Sequence, residues 1–595
     1  MAAFILYISV ALFLFALFAC AGAAVAPRTV RGQPLYARIA VGFALFPVLC
    51  VVPLYAAHSF IPSFLILLIL AAIGIGRVRF NLPGTPAERL FWAAMAANLL
   101  LLAYGVSAHP GLGDHDPYEH AMGASYLYET ATLFAKEDVW RDFATLDPYP
   151  PGYDASSAAL ASLAGSVGHG LRLWGLICAA AFPVAVRFFA RGMGLSERSS
   201  ALAGCISVLL PPSPTHFAWT HTMGIGLALS AAGGAAMALQ HRKWMLPAGL
   251  ALAGLGLSAT SDALYALALF APAVWRAAGG GKLPRAALVL GIALLVSAPW
   301  IVHVGKRFAE AGPLKFTRDD TRIRGHYDVP PETPRPWYKE HRGNARPYGA
   351  DEFFLPRWKN NFNIPVGLPA AAFLPALAGC LLWWRRKRVA WLGVLMAVML
   401  VAVQGERLPA EYFPHRAWTY LAVFSAIGCA VFLRYGPSLS RMAATIAAIV
   451  AFASFGHSAA VRIRMESMQW GNEAFQNEAQ RDGYYRLLST LHGEKTWPFA
   501  GDIRFGHVSA MGGRVTFWDE KERAADLFVA RGKYEEATGL LIDAGYRFFV
   551  LDSTVDLRHG AGTGEKIYRA LAMRGDMRPL SVGPGFALFA VTDTR

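Results

Sequence analysis

The 595-residue chain is 55% hydrophobic and 12% aromatic, only 16% of it is charged, and its mean hydropathy is +0.36. A soluble protein of this length needs more polar surface, so a water-soluble globular fold is excluded. The formal net charge of +15 does not mark a nucleic-acid partner, because the basic residues gather in short loops between apolar runs rather than on one face.

Apolar runs long enough to cross hydrocarbon, about 20 residues each, recur along most of the chain. The first, "FILYISVALFLFALFACAGAAVA", has no basic residue before it and is read as a retained helix. The expected spans are 4–26, 38–57, 61–76, 89–107, 170–186, 199–211, 222–240, 245–259, 262–275, 286–303, 365–384, 390–404, 416–433 and 442–459. This is a polytopic α-helical membrane protein with about 14 transmembrane helices. Basic residues cluster at Arg28, Arg31 and Arg38, at Arg77, Arg79 and Arg89, at Arg187, Arg191 and Arg198, at Arg242 and Lys243, at Arg276, Lys282 and Arg285, in "RRKR" at 385–388, and at Arg434 and Arg441. Placing every such cluster in the cytoplasm puts the N-terminus outside and is consistent with the alternation of all the spans.

The same alternation puts 108–169, 211–221, 258–262, 304–364, 404–416 and everything after about 460 on the extracytoplasmic side of the inner (plasma) membrane. The division expected is 1–88 as N-terminal transmembrane helices, 89–459 as a membrane region with large outer loops 108–169 and 304–364, and 460–595 as an extracytoplasmic α/β domain. In that last part "NEAFQNEAQRDGYYRLLSTLH" and "ERAADLFVARGKYEEATGLLIDAG" predict helices, and "GRVTFW", "YRFFVLD" and "GFALFAVTD" predict strands. It carries neither GxGxxG nor GxxxxGK[ST], so nothing there points to a nucleotide. All six cysteines lie within apolar spans, and no disulfide framework is expected.

The polar chemistry is concentrated in the outer segments. "GDHDPYEHAMGASYLYE" at 113–129 packs Asp114, His115, Asp116, Glu119 and His120 together straight after an apolar run, and a helix is expected from His115 to Phe134. Asp114 as a plain N-cap in a solvated loop is the bland alternative. Two Asp one residue apart, with Glu and His a turn later, also supply a general base or a hard-cation site, so Mg or Mn at Asp114 and Asp116 is an open possibility; no cofactor is otherwise indicated. "DPYPPGYDASSAALASLAG" follows at 147–165 and contains Tyr153.

Later outer segments bring basic residues. The 304–364 loop carries twelve Lys and Arg, Arg357 among them, interleaved with Trp and Tyr, and "GERLPAEYFPHRAW" adds Arg407, His415 and Arg416. Arg416 and Arg407 flank a helix mouth, where a guanidinium suits a lipid phosphate. Glu119, His120, Tyr153, His216, His221 and His415 are the candidates for acceptor or substrate contact. An acid cluster and a basic clamp at one membrane face fit transfer of a sugar from a lipid-linked donor. Arg would hold the phosphate while a carboxylate activates the acceptor hydroxyl for in-line, inverting attack. A transporter or flippase of a lipid-linked saccharide is the alternative; it calls for ionisable residues at mid-membrane, of which the sequence offers few.

"DHDPYEHAMGASYLYE" followed by "YPPGYDASSAALASLAG" resembles the first outer loop of the GT-C membrane glycosyltransferases, nearest their oligosaccharyltransferase-like branch. "ERLPAEYFPHRAWTYLAVFSAIG" is similar to their late, Arg-containing span. The resemblance implies a GT-C-like fold and a polyprenyl-phosphate-linked sugar donor. It also implies a catalytic Asp in the first loop, matching Asp114 or Asp116, with a glycan, glycolipid or protein acceptor. The "WWDYG" motif of true oligosaccharyltransferases is absent from the C-terminal part.

Overall fold

The computed structural model describes the chain except residues 1, 28–33, 79–83, 110, 113–114, 135–148, 218, 259–264, 266–267, 275–277, 279, 312–348, 357–365, 388–389, 405–413, 437–439, 468–477, 492, 501–502, 517, 584 and 593–595, and at 115–116, 308, 310–311, 386–387, 414–415, 478, 503 and 557–558 it describes the backbone alone. In chain order the membrane part comprises α1 (Ala2–Val25), α2 (Leu35–Ala57), α3 (Ile61–Ile75), α4 (Pro86–Ala108), α5 (His115–Thr130), α6 (Gly152–Ala164), α7 (Val167–Gly192), α8 (Glu197–Leu209), α9 (Thr220–Gln240), α10 (Met245–Gly256), α11 (Leu283–Ala311), the short α12 (Ala350–Phe354), α13 (Ala370–Lys387), α14 (Trp391–Ala402), α15 (Pro414–Tyr435) and α16 (Arg441–Glu466).

Each expected span coincides with one of these helices except 262–275, of which residues 265 and 268–274 are described and are helical. The lengths are less uniform than the hydropathy pattern suggests. Among the described residues, eight helices are long and apolar enough to cross a membrane. By contrast α10 and α14 have 12 residues each, roughly 18 Å of helix and short of the hydrocarbon thickness on their own.

Burial sorts the helices into core and rim. The apolar stretch of α7 is buried along its whole length, and those of α2, α9 and α15 nearly so. The rim helices α1, α11 and α16 turn apolar side chains such as Phe13, Leu295 and Phe452 outward, as lipid-facing helices do. The N-terminal helices belong to this bundle, since α2 packs on α6, α7 and α10. All six cysteines are buried and unpaired.

One end of the bundle is closed by a charge network. Arg187, 1% exposed in the last turns of α7, reaches Glu88 at the start of α4 (3.2 Å) and Glu197 at the start of α8 (3.4 Å). Its guanidinium lies over the Tyr36 ring (4.0 Å), and the Tyr36 hydroxyl donates to Glu197 (3.0 Å). Both carboxylates sit in first helical turns, where the helix dipole favours them. Thr85 and Ser196 cap those same helices by accepting from the amides of Glu88 and Ser199. Arg187 therefore ties helix ends together as well as adding to loop charge.

After α16 the chain forms α17 (Glu478–Leu488), β1 (Thr496–Phe499), α18 (Ile503–Ala510), α19 (Glu520–Ala530), α20 (Tyr534–Asp543), β2 (Phe548–Asp552), α21 (Val555–His559), α22 (Thr563–Met573), β3 (Met577–Gly583) and β4 (Phe586–Val591). The sheet runs β1-β2-β4-β3, with β1 parallel to β2 and the other pairs antiparallel. Three expectations change here. The helix expected over 522–545 is two, α19 and α20, broken where Gly532 takes a left-handed φ of 74°. "GRVTFW" forms no strand among its described residues, only an isolated bridge between Lys495 and Arg514. β1 and β3 were not expected: Pro498 and Pro579 mark them as non-strand by local preference, and edge positions accommodate both.

Replacing Arg187 with Met leaves two carboxylates facing each other without their cation. The expected loss is about 1–3 kcal/mol, below the cost of breaking a fully buried pair because Glu88 and Glu197 reach solvent. The thermal midpoint of the detergent-solubilised protein checks it, and adding Glu197→Gln should recover part of the loss.

Candidate active site

Helix directions place the first turns of α5, α9 and α15 at the end of the bundle opposite the Arg187 network, together with the last turns of α4 and α16. Asp116 and Glu119 lie on the first turns of α5, where the dipole favours carboxylates. Pro117 is tolerated there because first-turn amides have no helical partner. Asp114 precedes the helix and lies outside the described residues; of Asp116 only the backbone is described. The helix ends at Thr130, short of the expected Phe134.

His120 is buried, and its Nδ1 is 2.8 Å from Oδ1 of Asp154 in the first turn of α6. The contact needs Gly123, one turn further along α5, because a Cβ at that position would overlap the Asp154 carboxylate. Burial pushes the Asp154 carboxyl above its usual range, and the neighbouring His120 pulls it back. The rings of Tyr153 and Tyr149 flank His120 at 4.9 and 5.6 Å. Tyr153 is fully buried, and among the described residues its hydroxyl has no hydrogen-bond partner.

A chain of contacts leads from this pair to the cationic side. The Tyr149 hydroxyl is 3.4 Å from the Thr220 hydroxyl at the start of α9. The next residue, His221, places Nε2 3.4 Å from the hydroxyl of Thr419 on α15. Trp219 lies 5.2 Å from the His221 ring and 5.7 Å from the guanidinium of Arg416. Arg416 is buried in the first turn of α15, so guanidinium and helix N-terminus add their positive potentials at one place.

His120, Tyr153, His221 and Arg416 are thus joined through α5, α6, α9 and α15. His216 has another partner. Its Nδ1 pairs with the buried Glu466 at the end of α16, and its backbone amide donates to the same carboxylate (3.1 Å). Arg462, one turn earlier on α16, donates to the carbonyls of Ser213 and Pro214 and to Asn98 on α4. Together they strap the segment before α9 to α16. Arg407 and Arg357 lie outside the described residues, and of His415 only the backbone, in α15, is described. Among the described residues no group of three His, Cys, Asp or Glu is arranged to hold a metal ion.

Sequence reasoning missed Asp154, Tyr149, Trp219, Thr220, Thr419 and Glu466 as members of this end. Asp154 was visible as one loop acid among many. Arg462 and Glu466, an i,i+4 charge pair at the end of an apolar helix, are a signal legible in the sequence.

Gly123→Ala should drive a methyl group into Asp154 and lower stability by about 1–3 kcal/mol, the usual range for overpacking. Gly539→Ala on α20 has open space at its Cβ and should instead stabilise by about 0.5–1 kcal/mol. Thermal unfolding of the two variants beside the parent protein checks both signs.

No family model and no curated protein matches the sequence. Solved structures do. The structure of ArnT from Cupriavidus metallidurans bound to undecaprenyl phosphate superposes on 86% of this chain and 99% of its own, at 13% identity and a TM-score of 0.50. The apo state of the same protein gives 85%, 98%, 13% and 0.49. The apo oligosaccharyltransferase of Archaeoglobus fulgidus covers 78% of this chain and 69% of its own, at 13% identity and a TM-score of 0.40. With nearly all of the undecaprenyl-phosphate-bound ArnT structure matched, the chain has a GT-C-like fold as a polytopic helical membrane protein.

Proposed function

We propose that this chain is an inverting glycosyltransferase that takes a sugar from a polyprenyl-phosphate-linked donor and passes it to an envelope glycan, lipid or protein. The observation that carries the reading is the buried Arg416 at the N-terminus of α15, joined by the Trp219–His221–Thr220–Tyr149 contacts to the helix whose first turn bears Asp116 and Glu119. In this reading the acceptor oxygen attacks the anomeric carbon while its proton passes to Asp114 or Asp116. The bond from that carbon to the phosphate oxygen breaks, and its electron pair leaves with the polyprenyl phosphate. Arg416, with Arg407 and Arg357 as further candidates, receives the developing phosphate charge. Phosphate is a good leaving group, so orientation and charge stabilisation are the main demands on the protein.

The undecaprenyl phosphate bound to the ArnT structure supports a lipid phosphate as the ligand for the same fold. The transporter reading fares less well. The buried ionisable side chains described here, among them Arg187, His120, His221, Arg416, Arg462 and Glu466, lie toward helix ends rather than at mid-length. In the proposed arrangement 89–459 is the catalytic membrane region and 1–88 supplies additional helices. The site and the 460–595 domain then face the extracytoplasmic side of the inner membrane.

Undecaprenyl phosphate binding to the full-length protein in nanodiscs should weaken at least about tenfold in Arg416→Ala and less in Arg416→Lys, which keeps the charge but not the planar fork. One of Asp114→Asn and Asp116→Asn should lower transfer from radiolabelled polyprenyl-phosphate sugars by on the order of 10²–10⁴ with undecaprenyl phosphate binding retained. Parent-like transfer in both Asn variants overturns the mechanism. A reporter active only outside the cytoplasm should be active when fused after residue 470 and silent when fused after Arg388; the opposite pattern overturns the orientation.

A further inference from the structure

Residues 211–217, leading into α9, are all buried yet form neither helix nor strand. Backbone groups in such a place must find partners elsewhere in the protein. The end of α16 supplies them. Arg462 donates to the carbonyls of Ser213 and Pro214, while Glu466 accepts from the His216 amide (3.1 Å) and pairs with the His216 Nδ1. Two residues at the end of α4 complete the arrangement. A Cβ at Gly105 would overlap both the His216 ring and the Glu466 carboxylate, so glycine makes the room. His109 hydrogen-bonds the Ser467 backbone just past α16, and its ring stacks on that of His216 at 6.2 Å.

These polar contacts coincide with the anchorage of α16. Its buried residues are Ser458, Val461, Arg462, Met465 and Glu466, one face of the last turns, whereas residues 441–450 are almost wholly exposed. A buried ion pair is a weak source of stability, since desolvation offsets the attraction. What a satisfied polar network gives is a single arrangement of the backbone it joins. The backbone fixed here runs on to Trp219, 5.7 Å from the Arg416 guanidinium, and to His221, whose Nε2 is 3.4 Å from the Thr419 hydroxyl on α15. We infer that Arg462 and Glu466 are positioning residues for the Arg416 site: from the end of α16 they fix the buried segment entering α9 and so hold Trp219 and His221 against α15. His216 belongs to this strap and acts through the segment, not by touching substrate. The binding arm of the test below rests on the lipid-phosphate reading; the exchange arm does not.

Helix α5, by contrast, is seated from the C-terminal part of the chain. The Tyr118 hydroxyl donates to the hydroxyl of Tyr485 on α17 (2.7 Å), and the Tyr118 ring meets the His507 ring of α18 edge-on at 3.9 Å. Tyr485→Phe therefore loosens the same end of the molecule without touching the strap, and Arg187→Met loosens the opposite end. Both serve as controls.

Charge and position predict opposite signs for Glu466. Removing a carboxylate at the end that takes an anionic phosphate tightens binding by charge alone, whereas losing the position weakens it. For the full-length protein in nanodiscs, Glu466→Ala should weaken undecaprenyl phosphate binding by about five- to tenfold. Glu466→Gln keeps an oxygen for the His216 amide and should recover part of that loss. Gly105→Ala keeps every charge but crowds the pair; it should weaken binding as well, and it decides the question where Glu466→Ala does not fold. Added to Arg416→Ala, Glu466→Ala should change little further, because effects exerted through one site are not additive. Tyr485→Phe and Arg187→Met should keep parent-like binding even where their thermal midpoints fall as far. Parent-like or tighter binding in Glu466→Ala or in Gly105→Ala overturns the inference. So do a Glu466→Gln variant no better than Glu466→Ala, full additivity with Arg416→Ala, and a loss that merely follows stability across the controls. A parent protein that does not bind undecaprenyl phosphate overturns the lipid-phosphate reading instead. Amide hydrogen exchange across 213–222 then decides the positioning role: faster in Glu466→Ala than in either control upholds it, and equal rates overturn it.

Discussion

A carboxylate buried against an imidazole, Asp154 against His120, holds the site end of this molecule together. Removing one partner from such a buried pair typically costs about 3–5 kcal/mol, because the other is left uncompensated. The pair sets the distance between α5 and α6, and α6 is tied in turn to α10 where the Gly152 amide donates to the Leu257 carbonyl (2.7 Å). With α5 seated, Tyr149 reaches the start of α9, and α9 brings His221 to α15 and its Arg416. Losing Asp154 would loosen each of these in sequence.

The two ends of the bundle solve different problems with similar residues. At the Arg187 end the charges balance, two glutamates about one buried arginine, and the caps Thr85 and Ser196 complete helix starts. That is an arrangement suited to permanence. At the opposite end a cation and a helix N-terminus coincide at Arg416 while the acids gather at the start of α5. The proposed transfer, which moves a proton one way and a phosphate charge the other, requires such a separation of charge.

Much of the membrane architecture was legible because hydrocarbon imposes a simple rule: backbone groups must be satisfied locally, so apolar runs become helices. Even α8 and α10, too short to cross alone, stood out by composition. The C-terminal domain was less legible where local preference and final pairing disagree. Gly532 breaks what periodicity reads as one helix, and Pro498 and Pro579 lie in edge strands that preference argues against. Residue type and membrane exit singled out His120, His221 and Arg416, but their partners lie far along the chain. Asp154 is 34 positions from His120, Thr419 is 198 from His221, and Glu466 is 250 from His216. No local pattern encodes such pairings; only the packed bundle does.

The separation between Tyr118 and Tyr485, 367 residues, bears on when α5 is fully packed. During synthesis α5 emerges and meets its membrane neighbours long before the chain that will hold its other face exists. Until α17 and α18 have been made and docked, α5 lacks the second of the two faces it packs on. A nascent or truncated polypeptide therefore has α5 held on its α6 face alone, and the full packing of that helix is reserved for molecules completed to their far end.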